Sequence, residues 1–263
     1  MSKSSRKAKA KQAAANTTAS TTTSTTTSTT DTSPYIFQRN KINYDLTIKE
    51  LPWTDRQKSI INLFLDKKTK MVILKGPAGS SKTILAMYCG LHLLNQRKAS
   101  DIVLMRSAVE SADNKLGFLP GDLEDKYNVY ITPFNDKLEE LLPQQQIDRL
   151  HKDNRLTLCP VNFARGLHLA AKFICCDEVQ NFSLKEIYTI VTRIGEFSKV
   201  FMCGDPEQSD LPKDKSGFNA FYKMFDTEES RSQGIFCLEL TEEDIMRSSF
   251  CRYIIKTFKA AKV

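Results

Sequence analysis

A short segment of small residues is the first part of the sequence that could perform chemistry. It nearly fits the pattern G-x-x-x-x-G-K-[ST], in which backbone N–H groups surround phosphates. A strand is predicted before it and a helix after it, so the helix N-terminus would add positive potential. Lys82 would reach the β- and γ-phosphates of a nucleotide, and the Thr83 hydroxyl would bind Mg²⁺. The segment therefore predicts a phosphate loop, which consists of Gly76, Pro77, Ala78, Gly79, Ser80, Ser81, Lys82 and Thr83.

One position of this segment departs from the pattern. Ser81 stands where the pattern has its second glycine. If the backbone there needs a positive φ, serine costs on the order of 1 kcal/mol, whereas glycine costs almost nothing. We therefore expect a weakened loop that still binds phosphate. The alternative is a Gly/Ser-rich turn without a ligand.

Two adjacent carboxylates follow the apolar run Phe173–Cys176, which is predicted as a buried strand. Ligands of open α/β sheets bind at the C-terminal edge of the strands. Asp177 would hold Mg²⁺, directly or through a water molecule, and Glu178 would orient and deprotonate an attacking water. Alternatively, the two acids bind no ligand, and their negative charges only stabilise the N-terminus of the following helix. The polar stretch Val179–Asn181 favours a built site.

A glutamine follows the next predicted strand, within Gly204–Pro212. Gln208 could hydrogen-bond both a γ-phosphate and a water molecule, and it would thereby sense hydrolysis. In the usual topology of P-loop ATPases, this strand lies between the phosphate-loop strand and the acidic strand. We therefore expect Gln208 to lie between Lys82 and Glu178.

The elements that must position these residues alternate between strands and helices. This alternation predicts an α/β fold with a mostly parallel sheet covered by helices on both faces. Thr54 is expected to cap a first helix, and Thr241 to begin a final helix with Asp244 as its capping-box partner. Strands are predicted at 71–74, 102–105, 156–159, 173–176, 200–203 and 235–240, and further helices at 82–95, 131–142, 144–151 and 183–194.

Composition divides the 263 residues into two parts. Residues 1–34 are rich in Lys and Ala and then in Ser and Thr, a composition that predicts a disordered tail. Five basic side chains and one acid give this tail a charge of +4, so only +3 of the net +7 remains elsewhere. The tail could contact nucleic acid through Lys3–Lys11, and an organelle transit peptide is a weaker alternative. Residues 35–263 are predicted to form one domain.

Several classes of protein are excluded by the sequence pattern. No run of about 18 apolar residues predicts a transmembrane helix, and no apolar segment follows the basic N-terminus as in a secretory signal. The seven cysteines contain no CxxC pair. We therefore expect reduced cysteines that pack in the core, a reducing compartment and a cytoplasmic location.

Together these residues resemble the PhoH family of P-loop ATPases, which is related to superfamily 1 helicase cores. The resemblance runs from about Gln57 to Arg247. It rests on the phosphate loop and on the stretches Lys115–Leu123, Asp177–Asn181, Gly204–Pro212 and Asp244–Arg247. It implies a RecA-like fold and Mg²⁺-dependent ATP hydrolysis coupled to RNA or another nucleic acid. Since the chain has room for one motor core, the resemblance also implies a homo-oligomer, such as a ring.

The resemblance also suggests roles for two further residues. Gln57 would recognise the adenine edge, although an ordinary exposed helical glutamine is the alternative. Arg247 would act as an arginine finger from a neighbouring subunit, and a plain surface arginine is the alternative.

Departures from the family pattern leave a second function open. Arg165-Gly166-Leu167-His168 stands where the family has Arg-Gly-Arg-Thr, and Ser81 replaces a glycine. A slow, nucleotide-dependent binding switch that recruits a partner is therefore an alternative to a nucleic-acid-coupled ATPase. A small-molecule phosphotransferase is less favoured because no acceptor-binding insert is evident.

Overall fold

A computed structural model describes residues 40–107, 123–212 and 215–260 of the chain. Within these ranges, the side chains of 123–131 and 258–260 are not described. The predicted tail at 1–34 and residues 115–122 of the family-like stretch lie outside the described residues.

Six parallel strands in the described ranges form one sheet, which confirms the predicted α/β class. The strands are β1 (Met71–Lys75), β2 (Asp101–Arg106), β3 (Leu156–Pro160), β4 (Lys172–Cys176), β5 (Lys199–Gly204) and β6 (Ile235–Glu239). The spatial order is β3-β2-β4-β5-β1-β6, so β5 lies between β1 and β4 as expected. Lys75 at the end of β1 pairs with Gly204 at the end of β5, so both strands finish at one sheet edge.

Helices cover both faces of this sheet. One face packs against the first four helices and the other against α5 and α6, because alternate strand residues enter two separate cores. No helix in the described ranges is long and apolar enough to cross a membrane. The helices are α1 (Asp55–Leu65), α2 (Lys82–Asn95), α3 (Leu123–Leu141), α4 (Gln144–Lys152), α5 (Leu184–Val191), α6 (Phe218–Phe225), α7 (Glu228–Ser232) and α8 (Ser249–Ala260).

The first helix begins as the sequence predicts. The Thr54 hydroxyl accepts the Gln57 backbone N–H, and the Gln57 side chain accepts the Thr54 N–H, so a capping box is present. The α1 side chains Ile60, Ile61 and Phe64 are buried in the core. This helix brings Gln57 close to the phosphate loop.

The prediction of a long helix from Thr241 is wrong. The capping box between Thr241 and Asp244 is present, but it closes only a single 3-10 turn, Glu242–Asp244. Asp244 also accepts a hydrogen bond of 2.6 Å from the Thr54 hydroxyl, a contact between distant parts of the chain. This contact fixes the turn against α1, and α8 begins only at Ser249.

Candidate phosphate-binding site

The predicted phosphate loop connects the end of β1 to the start of α2. The Gly76 N–H donates to the Gly204 carbonyl oxygen at 3.2 Å, which fixes the loop beside β5. A Cβ on Gly76 would lie 2.8 Å from the Leu240 Cβ, so the loop and the chain after β6 approach closely. The hydroxyl of buried Ser80 donates to the Pro77 carbonyl oxygen at 2.7 Å. These contacts hold the loop closed over the N-terminus of α2.

Ser81 adopts the left-handed conformation that its position was expected to require. Its φ is 64° and its ψ 26°, and its side chain makes no capping hydrogen bond to α2. The Ser81 carbonyl still accepts the Leu85 N–H at 2.9 Å, the first hydrogen bond of the helix. Serine therefore replaces glycine at the cost of backbone strain.

Substituting Ser81 with glycine should preserve or raise nucleotide affinity. Glycine adopts positive φ readily, which removes a strain of about 1 kcal/mol, although its greater freedom in the unfolded chain offsets part of the gain. Calorimetric titration and thermal unfolding would measure both effects. Ser80→Gly is the matched control and should weaken the loop, because it removes the hydroxyl bond to Pro77. A large loss of affinity in Ser81→Gly would show that its hydroxyl has a role of its own.

Lys82 points back into the phosphate loop. Its Nζ donates to the carbonyl oxygens of Gly76 at 2.8 Å and Pro77 at 3.0 Å. The half-buried ammonium group therefore lies within the loop, where phosphate oxygens would be its partners. Contact with a phosphate would require the ammonium group to exchange these partners, and it stays a prediction.

The acidic strand end meets the phosphate loop through one hydrogen bond. Thr83 Oγ1 donates to Asp177 Oδ1 at 2.9 Å, and the Cys203 thiol lies 3.2 Å from the same oxygen. A hydrogen bond with Cys175 and burial raise the pKa of the Cys203 thiol well above its ordinary value, so the thiol stays protonated and can donate. Asp177 itself is buried, and its N–H donates to the Met105 carbonyl oxygen.

This pair of oxygen groups fits Mg²⁺. A hydroxyl and a carboxylate are hard ligands, and Mg²⁺ commonly takes one or two protein ligands and completes its shell with phosphates and water. Among the residues whose positions are described, no group of three or more His, Cys, Asp or Glu forms a metal site. Thr83 and Asp177 therefore suit an ion that arrives with a nucleotide.

Glu178 lies next to this pair with a carboxylate that can accept a proton. Its backbone is left-handed, with a φ of 54°. The Gln180 amide donates to its Oε2, and Arg106 Nη2 lies 3.8 Å from its Oε1. Burial, followed by the charge of Asp177, raises the pKa of Glu178, while Gln180, Arg106 and Lys82 oppose the shift. A raised pKa suits a general base.

Gln208 reaches the expected sheet edge, but its side chain is exposed. It ends the 3-10 turn Pro206–Gln208, which Asp205 caps through a 3.0 Å bond from the Glu207 N–H. The position of β5 between β1 and β4 places this turn near the phosphate loop and the acidic strand end. Contact with a phosphate or a water molecule stays a prediction.

Gln57 is fully buried, so the interpretation as an exposed surface glutamine is wrong. Its Nε2 donates to the carbonyl oxygens of Ser80 and Asp244, both at 3.3 Å. Its Oε1 accepts the Thr54 N–H at 2.9 Å. The amide thus connects the phosphate loop to the turn after β6. An adenine contact would require it to exchange partners, and that role stays a prediction.

Arg247 lies beside the phosphate loop of its own chain. The neighbouring Met246 N–H donates to the Gly79 carbonyl oxygen at 3.2 Å. A Cβ on Gly79 would lie 3.0 Å from Arg247 Cγ, and the arginine is exposed. This proximity favours a role within the same subunit over the expected role across a subunit boundary.

Sequence reasoning gave no site role to three residues that the structure places here. Arg106 forms an ion pair of 3.8 Å with Glu178. Cys203 contacts Asp177, and Asp244 forms an ion pair of 3.5 Å with Arg56. The capping spacing from Thr241 was the only signal for Asp244, and the sequence holds no comparable signal for Cys203.

An open groove of about 730 Å³ lies next to the phosphate loop. Gly76 and Pro77 form one side, and residues of both charges, including Lys75, Glu239 and Lys256, line the rest. Its volume falls within the range of about 300–1,000 Å³ that small-molecule sites occupy. The loop and the groove together offer phosphate contacts and space for a nucleoside.

Comparisons with known proteins identify the family of this chain. A family model described as PhoH-like protein matches residues 49–259. A PhoH-like protein from Bacillus subtilis is 34% identical over 193 residues, which cover 73% of this chain and 59% of that protein. One from Mycobacterium bovis is 34% identical over 208 residues, covering 79% and 57%. The chain thus spans about three fifths of the length of these relatives.

Similarity to solved structures is weaker. A crystal structure of Pif1 helicase from Bacteroides, in complex with ADP-AlF3 and ssDNA, shares 16% identity and a TM-score of 0.33. It covers 73% of this chain and 42% of that one. A TM-score this low does not extend the function of that helicase to the present chain.

Proposed function

This chain belongs to the PhoH family, and from that premise we propose that it is a nucleotide-binding P-loop NTPase that hydrolyses ATP with Mg²⁺ to remodel RNA or another nucleic acid. The observation that carries the proposal is the 2.9 Å hydrogen bond between Thr83 and Asp177. This bond joins the phosphate loop to the strand end that also presents Glu178. Phosphate binding and water activation are thereby available within one site.

Each residue of the site has a distinct part in the proposed reaction. Lys82 and the loop N–H groups bind the β- and γ-phosphates, and Gln208 bonds the γ-phosphate and the water. Thr83 and Asp177 would hold Mg²⁺, which supplies positive charge against the phosphates. Glu178 orients the attacking water and accepts its proton at the carboxylate.

The coupling to nucleic acid follows only from the resemblance to the PhoH family. In this proposal the chain acts as a homo-oligomer, such as a ring, in the reducing cytoplasm. The second candidate is a slow nucleotide-dependent switch that recruits a partner. The left-handed Ser81 favours it, because a strained loop would slow turnover.

Measuring ATPase activity separates these two functions. The purified chain would be assayed with and without Mg²⁺, against single-stranded RNA, single-stranded DNA and duplexes, with sedimentation of the same samples. Stimulation by one class of nucleic acid supports the motor. Slow hydrolysis that no nucleic acid stimulates supports the switch. Absence of both ATP binding and hydrolysis would contradict the ATPase proposal.

Arg247→Ala should lower ATPase turnover by about 10-fold. One preorganised donor typically contributes about 10²–10³ in rate, and the exposure of Arg247 reduces that effect. The control Arg231→Ala removes an arginine that pairs with Asp226 on the surface. Because Arg247 lies beside its own phosphate loop, mixing Arg247→Ala with Glu178→Gln subunits should restore no activity. Recovery in co-assembled mixtures would instead show that the arginine acts across a subunit boundary.

A further inference from the structure

One fully buried glutamine lies between the proposed general base and the end of β5. Gln180 is buried, and its Nε2 donates to Glu178 Oε2. Its Oε1 accepts the Asp205 N–H at 2.9 Å. One amide group therefore contacts both segments that are proposed to act on the water and the γ-phosphate.

The orientation of this amide is fixed chemically. Only its oxygen can accept the Asp205 N–H, so its NH₂ group must face Glu178, whose carboxylate only accepts. A Cβ on Gly204 would lie 2.7 Å from Gln180 Oε1, so the absence of a side chain there allows the approach.

The backbone of Gln180 is anchored in the same way. Its carbonyl oxygen accepts hydrogen bonds from the hydroxyls of Ser209 at 3.1 Å and Ser216 at 2.7 Å. Ser209 directly follows Gln208. Both the side chain and the main chain of Gln180 are thus attached to the segment that carries the proposed sensor.

We propose that Gln180 is a positioning residue that holds the Glu178 carboxylate in register with the Gly204–Ser209 segment. The proposal rests on the ATPase function stated above. Glu178 is only partly buried and adopts a left-handed backbone, so packing alone does not fix its side chain. Arg106, at 3.8 Å, is too distant for a direct hydrogen bond. Among the residues that the structure describes, the Gln180 amide is therefore the hydrogen-bond donor that fixes the direction of the carboxylate.

This arrangement also connects two proposed roles within the site, the contact with the γ-phosphate and the activation of the water molecule. A shift of the Gly204–Ser209 segment on contact with the γ-phosphate would move the Asp205 N–H and with it the Gln180 amide. The carboxylate of Glu178 would then change direction. Water activation would thereby depend on the presence of the γ-phosphate.

The test compares Gln180→Met with Asn181→Ala. Methionine keeps the length of glutamine but removes both amide hydrogen bonds. Asn181 forms a second, more exposed link between the same two segments, because its side chain pairs with Asp210 at 2.7 and 2.8 Å without contacting Glu178. We expect Gln180→Met to lower kcat by about 10- to 100-fold, the effect of a small misplacement, with ATP affinity nearly unchanged. Asn181→Ala should change kcat by less than about twofold.

A double variant separates positioning from a general structural effect. If Gln180 acts through Glu178, adding Gln180→Met to Glu178→Gln should cause no further loss in single-turnover hydrolysis. Multiplying losses, equal losses of ATP affinity and kcat, or an unchanged kcat in Gln180→Met would each overturn the proposal. If Gln180→Met unfolds at the assay temperature, Gln180→Asn enters the same cycle, since it keeps the amide group but is one methylene shorter and cannot reach both Glu178 and Asp205. An inactive wild type would contradict the ATPase proposal, whereas an active wild type with multiplying losses would contradict only this one.

Discussion

Replacing Lys82 with alanine is expected to weaken ATP binding by about 10- to 140-fold. Hydrogen bonds to charged groups contribute about 1.5–3 kcal/mol, and each 1.4 kcal/mol is tenfold in affinity. The ammonium group already lies inside the loop, where the Gly76 and Pro77 carbonyl oxygens hold it. Isothermal calorimetry with a non-hydrolysable ATP analogue would measure the loss.

The control for this variant is Lys185→Ala. Lys185 is an exposed lysine on α5, so its removal changes the net charge equally without touching the loop. Both variants should unfold at nearly the wild-type temperature, because the two bonds lost from Lys82 are replaced by water. Equal ATP affinity in the wild type and Lys82→Ala would contradict the assignment of the phosphate loop.

Glu178→Gln should bind ATP with nearly wild-type affinity yet lose about 10²–10⁴ in turnover, the usual contribution of a positioned general base. Glutamine keeps the shape of the side chain but cannot accept the proton. Single-turnover hydrolysis and analogue binding, measured on the same preparation, would separate the two quantities.

Asp177→Asn is the matched variant for Glu178→Gln. Asp177 contacts Thr83 and is assigned to Mg²⁺, so its amide variant should lose Mg²⁺-dependent affinity as well as turnover. If the two variants lose affinity and turnover in the same proportion, the division of roles between the two carboxylates is wrong.

Most of the sheet could be predicted from the sequence because each strand is a short, continuous apolar run. β1, β4 and β5 are buried on both faces of the sheet, so each is an uninterrupted apolar run that predicts a strand without knowledge of its neighbours. The helices α6 and α7 were not predicted, because α6 follows Gly217 without a side-chain cap and α7 has only five residues. The final helix was misplaced because the turn at Asp244 is fixed by Thr54, 190 positions away.

In the functional site, too, local motifs could be predicted, whereas contacts between distant segments could not. The phosphate loop and the acidic pair are local patterns, and even the positive φ at Ser81 could be anticipated from the position of the missing glycine. The contacts of Gln57 and Arg247 could not be predicted, because they form only when the turn after β6 folds onto the loop. The polar stretch after Glu178 indicated a built site, yet the contact between Gln180 and Asp205 depends on the neighbouring strand.

The hydrogen bonds of Gln57 and Asp244 have a consequence for how the domain can be divided. The six strands within the described ranges lie between Met71 and Glu239, so a fragment of that extent would contain the sheet that they form. It would nevertheless lack Thr54, Gln57 and Asp244, which hold the Ser80 carbonyl and the turn above the loop. The smallest unit that preserves the binding loop is therefore larger than the sheet that supports it, since segments from before the first strand and after the last strand complete the loop together.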